Sequence, residues 1–465
     1  MGAQRVLFRS LKSMKKINDV KFLIGNNEKK SSTQKGVSDM KTKFKLKWEK
    51  LIPKSPNKND RSLYEKDYDR IIFAQCFRRL AGKTQVHPFA HSDHIHTRLS
   101  HSLEVSIVGR SIIKEIFKKH IINDEYKQDC INIIMAVGLA HDMGNPPFGH
   151  IGEDSISSWI RENKKTLLKH QFSEDFIDSY SSYDGNAQNF HLFCSTEYFD
   201  KKQLSPATLA SLVKYPWISQ KDKPKSGFFP NEHNIFKKCF KKLGLEIDSR
   251  YARHPLSYIM EAADDICYSI MDVDDAYEMG INGDTKKINK HIKNVFGKTA
   301  KNTLGQIREN RGEFIEKAVK AVAKAFSDNI QYIMNGNVAT KDYSPLKKDL
   351  IIMGGNDSTL QLVAELKKFA QQNIFSQRDK VVAETACYNI ISTILDAWLK
   401  SFSAYHEAEY NYEQMPTQAK KFFSLINIGK GIKKGDEGLI QIIDYVSGMT
   451  DRYAKFIADT ISGRI

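Results

Sequence analysis

Apolar residues recur at helical spacing along most of the chain, and this pattern restricts the fold more than any other feature. It predicts helices over 62–82, 99–119, 129–142, 205–214, 255–279, 313–334, 358–372, 380–404 and 436–461. Turn-forming residues interrupt the pattern at 53–60, 144–149, 180–185, 216–230 and 335–345. Alternating β-branched runs are nearly absent, so we predict an all-α protein, with one small hairpin as the only departure allowed.

Composition limits the class of protein further. The 465 residues are enough to bury a sizeable core. The longest apolar run, 131–140, is too short to cross a bilayer, and no signal-peptide pattern opens the chain. The six cysteines lack C-x-x-C spacing and are expected to be reduced thiols. We therefore expect a cytoplasmic protein with no membrane segment.

The positive charge is concentrated at the N-terminus. Residues 1–60 contain 16 Lys/Arg and 5 Asp/Glu, which gives +11 of the formal net charge of +16. Residues 1–39 also lack sustained periodicity, so we predict a basic, disordered extension there and a folded unit over 40–465. A solvated tail, or a translation start at Met40, is favoured over an arm that binds nucleic acid. Many lysines and few chemical motifs in 285–440 favour accessory helices for assembly or regulation.

One apolar helix ends in two residue types that bind metals. His141 and Asp142 follow it directly, and two prolines soon after prevent the helix from continuing. At a helix end both side chains can turn toward one ion. His101 upstream, and either Asp264 or Asp265 downstream, could complete the set. Such mixed imidazole and carboxylate ligands suit octahedral Mn²⁺, Mg²⁺ or Fe²⁺ better than structural zinc, which favours thiolates.

A second histidine–carboxylate pair follows the prolines. If a helix restarts at His150, Glu153 shares its face, and the carboxylate can fix the imidazole tautomer and raise its basicity. A histidine that titrates near neutrality is the expected group for proton transfer when a P–O ester bond breaks. The alternative is a helix-start histidine beside a glutamate that interacts favourably with the helix dipole.

Three polar residues share one face of the helix predicted over 255–279. Asp264, Tyr268 and Asp272 are spaced i, i+4 and i+8, so a metal ligand, an aromatic ring and a carboxylate line up. They could contact a phosphate, a sugar face and a 3′-hydroxyl in turn. The alternatives are core packing for Tyr268 and a surface position for Asp272.

Together these segments resemble the HD-domain metallophosphohydrolase superfamily and, more narrowly, its deoxyguanosine triphosphate triphosphohydrolase branch. The resemblance extends from about Met40 to the C-terminus and implies an HD-domain helical core with additional accessory helices. The matching runs are Phe77-Arg-Arg-Leu-Ala-Gly-Lys-Thr-Gln85-Val, Arg98-Leu-Ser-His101, His141-Asp142, Gly185-Asn-Ala-Gln-Asn, Glu261-Ala-Ala-Asp264-Asp265 and Gly448-Met-Thr-Asp-Arg-Tyr-Ala.

The resemblance implies a role for each matching residue. The implied ligands of Mn²⁺, Mg²⁺ or Fe²⁺ are His101, His141, Asp142 and Asp264, and the implied proton-transfer pair is His150 with Glu153. The implied substrate-binding residues are Gln85, Arg98, Asn186, Gln188, Lys214, Tyr215, Tyr268, Asp272 and Arg452. Two positions depart from the family pattern, because Asp184 and His191 stand where a glutamate and an arginine are expected. These departures concern substrate preference rather than the reaction.

The implied reaction is metal-dependent hydrolysis of a dNTP, foremost dGTP, to deoxynucleoside and inorganic triphosphate. Relatives also imply a homo-oligomer (tetramer or hexamer), a dNTP effector and single-stranded DNA as partners. Two other functions stay open. One is another HD phosphohydrolase, such as a nucleotidase or phosphodiesterase, and the other is a nucleic-acid-binding protein whose HD site senses nucleotides.

Overall fold

A computed structural model of the protein describes residues 44–54, 61–85, 96–195, 203–219, 225–278, 286–297, 304–336, 349–370, 372 and 378–464. Within these ranges the chain is all-α apart from one antiparallel pair of two-residue strands, Glu246–Ile247 and Arg250–Tyr251. The predicted fold class is confirmed. The extension predicted over 1–39 lies outside the described residues.

The α-helices of these ranges are numbered in chain order. They are α1 Trp48–Leu51, α2 Leu63–Phe73, α3 Gln75–Arg79, α4 Arg98–Phe117, α5 Lys127–Ala140, α6 His150–Lys169, α7 Glu174–Tyr180, α8 Gly185–Cys194, α9 Pro206–Leu212, α10 His233–Lys242, α11 Pro255–Glu278, α12 Lys286–Phe296, α13 Leu304–Glu309, α14 Arg311–Asp328, α15 Ile330–Met334, α16 Leu350–Met353, α17 Ser358–Phe369, α18 Arg378–Glu407, α19 Thr417–Leu425, α20 Gly435–Ser447 and α21 Asp451–Ile461. Short 3-10 turns lie at Leu80–Gly82, Asp124–Tyr126, Pro230–Glu232 and Tyr412–Gln414.

Local sequence fixes where the helices around the candidate site begin. The Thr97 hydroxyl accepts a hydrogen bond from the backbone N–H of Ser100, which caps α4. Ser205 caps α9, and Pro206 occupies its first turn, where a missing N–H costs nothing. Helix α6 differs, because Gly149 precedes it with a φ of 59° and no side-chain cap. This start therefore depends on contacts from elsewhere in the chain.

Two hydrophobic clusters fill the described part of the molecule. The first surrounds α4, α5 and α11, with α2, α9, α14 and α17 packed around them. The second is built from α6, α7 and the C-terminal helices α18 to α21. The segment between α5 and α6 connects them, since Met143 is buried in the first cluster and Phe148 in the second. The candidate site lies along this connection.

Three predicted helices are interrupted. The prediction of one helix over 313–334 is wrong at Asn329, whose non-helical backbone separates α14 from α15. The prediction of one helix over 62–82 is wrong at Ala74, whose extended backbone separates α2 from α3. The prediction of one helix over 436–461 is wrong at 448–450, because Thr450 is extended and accepts a hydrogen bond from the N–H of Tyr453 to cap α21. In the last two cases the apolar spacing continues through a sharp turn, so periodicity alone does not reveal the break.

No helix in the described ranges combines the length and the apolar composition needed to span a membrane.

The second cluster has an aromatic centre that supports α6. Trp398 is 1 % exposed, and its ring lies 6.5 Å from that of Trp159 and 5.1 Å from that of Phe402. We expect Trp398→Ala to lower the free energy of unfolding by about 3–5 kcal/mol, because truncating a buried aromatic leaves a cavity. Ile352→Ala, at an exposed position, is the control and should change it by less than about 0.5 kcal/mol. Urea unfolding followed by circular dichroism compares them, and equal midpoints would contradict the prediction.

Candidate metal centre and active site

Three helices bring two imidazoles and two carboxylates to one point. His101 lies in the first turn of α4, His141 and Asp142 follow α5, and Asp264 lies in α11. The Oδ1 atom of Asp264 is 3.0 Å from His101 Nε2 and 3.5 Å from His141 Nε2. Potential ligand atoms of His101, His141 and Asp142 lie within 4.8 Å of one another.

The donor atoms of this cluster suit a divalent cation. The Nδ1 atom of His141 donates a hydrogen bond to the carbonyl oxygen of Gly138 over 2.8 Å, which leaves Nε2 as the ring's lone-pair nitrogen. That Nε2 is buried without a hydrogen-bond partner and faces the two carboxylates. A metal-binding histidine commonly has its other nitrogen fixed in this way. The four side chains therefore fit an ion that takes nitrogen and oxygen ligands.

Each carboxylate has one buried cation beside it. Arg98 Nη1 donates to Asp142 Oδ2 over 2.7 Å, and Lys214 Nζ donates to Asp264 Oδ2 over 2.6 Å. Burial opposes the charge of Asp142, but Arg98 together with His141 and His101 outweighs it and holds the pKa of this carboxyl below its ordinary value. Burial likewise opposes the charge of Asp264, and Lys214 holds its pKa well below the ordinary value. Both acids are therefore ionised at neutral pH.

The structure distinguishes Asp264 from its neighbour. Asp264 contacts His101 and Lys214, whereas Asp265 forms an ion pair with Lys367 of α17. Burial raises the pKa of Asp265 to about 7, although Lys367 acts in the opposite direction. The geometry thus favours Asp264 as the carboxylate that completes the cluster.

Amide side chains hold the cluster in place. Asn145 Nδ2 donates to Asp142 Oδ1 over 2.7 Å, and Asn189 Nδ2 donates to the backbone carbonyl of His141 over 3.1 Å. Gln85 Nε2 lies 3.5 Å from Asp142 Oδ2. Asn189 belongs to the Gly185-Asn-Ala-Gln-Asn motif and Asn145 to the turn-rich segment 144–149, but sequence reasoning gave neither residue a role. Their contacts cross from one motif to another, which a single sequence does not reveal.

Two residues expected to contact sugar lie beside the cluster. An isolated antiparallel bridge between Thr84 and Thr97 places Gln85 next to the start of α4. The ring of Tyr268 packs edge-on against His101, with 5.5 Å between ring centroids. Asp272 belongs to α11, but its side chain lies outside the described part of the chain.

The second histidine–carboxylate pair is formed as predicted. His150 Nδ1 and Glu153 Oε2 are 2.8 Å apart, and the other oxygen of Glu153 accepts a hydrogen bond from the N–H of Gly185 over 2.7 Å. The imidazole is 72 % exposed, whereas Glu153 is buried. Burial opposes the charge of Glu153, but the hydrogen bond and charge of His150, together with Lys225 and the Gly185 N–H, outweigh this and lower the pKa of the carboxyl. An ionised acid thus orients an imidazole whose far side faces solvent.

A further cation lies near this pair. Burial opposes the charge of Lys225, yet Glu153 and Asp184 outweigh it and raise the pKa of its ammonium group. Lys225 therefore adds positive charge on the side of the site occupied by Glu153 and the Lys214–Tyr215 turn. Sequence reasoning missed it, because a lysine in the turn-rich segment 216–230 looks like any solvated surface lysine.

The remaining predicted pocket residues have other contacts. Asn186 donates to Asp184 Oδ1 over 2.8 Å, and the fully buried Gln188 donates to Asp444 Oδ1 over 2.6 Å. Arg452 is exposed. Its neighbour Asp451 is instead the buried charged residue of this motif and contacts the segments around the cluster.

His191, which stands where the family pattern has an arginine, lies between two acidic side chains. His191 Nδ1 lies 2.7 Å from Glu232 Oε1, and its Nε2 lies 3.0 Å from Asp444 Oδ2. Burial opposes a charge on this ring, but Asp444 and Glu232 outweigh it and raise the pKa to about 10. A protonated histidine thus supplies the positive charge at a position where an arginine was expected.

Comparisons with known proteins identify the class and then the family. Residues 354–458 match the family model described as a phosphohydrolase-associated domain. Over 90% of this chain and 99% of the relative, the sequence is 34% identical to a deoxyguanosinetriphosphate triphosphohydrolase-like protein of Pseudomonas aeruginosa. A protein of the same name from Listeria innocua is 30% identical over 90% of this chain and its own full length. A deoxyguanosinetriphosphate triphosphohydrolase of Klebsiella pneumoniae is 27% identical over 88% and 96% of the two chains.

The chain belongs to the deoxyguanosine triphosphate triphosphohydrolase family of the HD-domain phosphohydrolases, as its motifs predicted.

The ion pairs of His191 predict a pH-dependent contribution to stability. Because the pKa is raised on folding, the contribution is complete below the unfolded-state pKa of about 6.5 and is lost as the pH rises through about 10. We therefore expect His191→Gln to lower Tm most near pH 6, and by progressively less toward pH 10. Scanning calorimetry of both proteins across this range measures the difference. His120→Gln, at an exposed position, is the control, and a pH-independent gap for His191→Gln would contradict the prediction.

Proposed function

We propose that the protein hydrolyses deoxynucleoside triphosphates, foremost dGTP, to deoxynucleoside and inorganic triphosphate, with Mn²⁺ or Mg²⁺ as cofactor. The observation that carries the proposal is the convergence of His101, His141, Asp142 and Asp264 from three helices. Membership of the family supports the reaction type, since named relatives are deoxyguanosinetriphosphate triphosphohydrolases.

The four converging side chains would hold the divalent ion. When bound, such an ion supplies a Lewis acid for a phosphate oxygen and lowers the pKa of water. The two carboxylates offer oxygen ligands and the two imidazoles offer nitrogen ligands, a set that suits Mn²⁺ or Mg²⁺.

His150 and Glu153 would move the proton. The nucleoside 5′-oxygen is a poor leaving group unless it is protonated, so a positioned acid accelerates P–O cleavage. Glu153 is hydrogen-bonded to Nδ1 of His150. This leaves Nε2, on the solvent-facing side, to exchange a proton with substrate. The hydrogen bonds with His150 and from the Gly185 N–H favour the ionised form of Glu153 and fix its orientation.

Cations and polar groups around the cluster would bind the rest of the substrate. Arg98 and Lys214 already contact the carboxylates and can also face a triphosphate, with Lys225 and Tyr215 on the same side as Lys214. Gln85 and Tyr268 would contact the deoxyribose from beside the metal centre, with Asp272 as the third sugar contact. For Asn186, Gln188 and Arg452, a role in substrate binding remains a prediction that rests on the family resemblance.

Assembly and further partners also stay predictions. These are a homo-oligomer, a dNTP effector, single-stranded DNA and a cytoplasmic location.

Product analysis tests the reaction. Incubating dGTP with the protein and Mn²⁺ should give deoxyguanosine and inorganic triphosphate, resolved by ion-exchange chromatography and ³¹P NMR. EDTA should abolish turnover, and added Mn²⁺ or Mg²⁺ should restore it. Pyrophosphate with dGMP, or orthophosphate, would instead indicate another HD phosphohydrolase. Salt-sensitive binding of single-stranded DNA without turnover would favour the nucleotide-sensing alternative.

The role of His150 gives a separate prediction. His150→Ala should lower kcat by roughly 10²- to 10⁴-fold, the usual contribution of a general acid, without changing the affinity for Mn²⁺ measured by calorimetry. His120→Ala is the matched control, because its side chain is similarly exposed and lies outside the cluster. Retained turnover in His150→Ala would exclude this residue as the proton donor.

A further inference from the structure

One buried carboxylate joins two separate segments of the candidate active site. Asp451 is 6 % exposed and opens α21. Its Oδ2 atom accepts hydrogen bonds from the backbone N–H of Thr84 over 2.9 Å and from the Thr84 hydroxyl over 2.8 Å. Its Oδ1 atom accepts a hydrogen bond from the backbone N–H of Phe148 over 2.9 Å. Thr84 precedes Gln85, and Phe148 lies two residues before His150.

The segment that Asp451 contacts has an unfavourable backbone conformation. Phe148 has a φ of 67°, in the left-handed region that residues with a side chain rarely adopt. Gly149 follows with a φ of 59°, and a Cβ atom there would lie 2.5 Å from Nη2 of Arg98. Such conformations persist only when surrounding contacts hold them in place. Because α6 starts without a side-chain cap, the Phe148–Asp451 hydrogen bond supports the backbone that leads into His150.

A buried lysine makes a parallel connection. Lys83 is 2 % exposed, and its ammonium group donates to the carbonyl oxygens of Asn145 over 2.6 Å and Ser447 over 2.7 Å. The side chain of Asn145 in turn donates to Asp142 of the metal centre. Ser447 ends α20, four residues before Asp451, so both connections run from the same C-terminal turn.

We infer that Asp451 is a positioning residue for the proposed reaction, fixing the Gln85 segment and the His150 segment relative to each other. The C-terminal turn 447–451 would thereby complete the active site without contacting substrate. This inference rests on the proposed function. It assigns no role to Arg452, the exposed neighbour that motif comparison favours.

The test compares Asp451→Ala with Asp436→Ala in the full-length protein. Asp436 is the matched control, because it also accepts a backbone N–H and a hydroxyl hydrogen bond, both from Ser173, and lies outside the candidate site. We expect Asp451→Ala to lower kcat/KM for dGTP by roughly tenfold to a hundredfold, since small displacements of reacting groups are costly. Asp436→Ala should change it by less than twofold, and both variants should retain Mn²⁺ binding.

A loss of folded protein is distinguishable from a loss of positioning. Misfolding would lower kcat equally for every substrate, in proportion to the folded fraction, and leave KM unchanged. Lost positioning should raise KM, lower kcat and reduce the preference for dGTP over GTP. Thr84→Val removes one hydroxyl donor and keeps the backbone donor, so it should raise KM and weaken that preference while kcat changes little. The inference would be overturned if the Asp451→Ala variant had wild-type kcat/KM. It would also be overturned if the only change were a fall in kcat in proportion to the fraction of folded protein.

Hydrogen exchange keeps this test independent of the proposed function. Asp451→Ala should speed amide exchange at Thr84 and Phe148, whereas Asp436→Ala should not. If the wild-type protein hydrolyses no dNTP, the proposed function fails, and unchanged exchange at both amides would separately refute the positioning role.

Discussion

The site depends on keeping two carboxylates ionised away from bulk water. Asp142 and Asp264 are largely buried, and an isolated charge in such a place would be neutralised by a shift in pKa. Arg98 and Lys214 prevent this by direct contact, so the two acids stay anionic before any ion arrives. Arg98 opens α4 and Lys214 follows α9, whereas Asp142 follows α5 and Asp264 lies in α11, so the packing of four helices keeps the two charge pairs together. The candidate metal centre thus has both of its carboxylates ionised by contacts within the protein.

The candidate metal centre and the proposed proton-transfer pair belong to different hydrophobic clusters. The metal-centre residues lie on helices packed in the first hydrophobic cluster, whereas His150 and Glu153 begin a helix packed in the second. The connection between the clusters is short and carries two consecutive residues with positive φ, Phe148 and Gly149. The relative position of the two groups is therefore not fixed by either core alone. Contacts across the clusters, among them those of Lys83 and Asp451, supply the missing constraint.

Sequence reasoning predicted the fold class and the residues that meet at the metal centre. It could do so because helical periodicity is strong and because His101, His141 and Asp142 lie in motifs with chemically distinctive residue types. It did not predict Lys83, Lys225 or Asp451. A lysine or aspartate is usually solvated, and the partners of Lys83 and Asp451 include backbone atoms more than 360 positions away in sequence. Helix breaks at Ala74 and Thr450 were also missed, since apolar spacing continues across both turns.

The separation of 364 residues between Lys83 and Ser447 has a consequence for biosynthesis. While the ribosome is still adding the middle of the chain, α4 and α5 can already pack, because their contacts are local in sequence. The turn that joins the two catalytic segments does not yet exist at that stage. A nascent polypeptide can thus pack the helices of the candidate metal centre before the turn 447–451, which contacts Lys83, Thr84 and Phe148, has been synthesised.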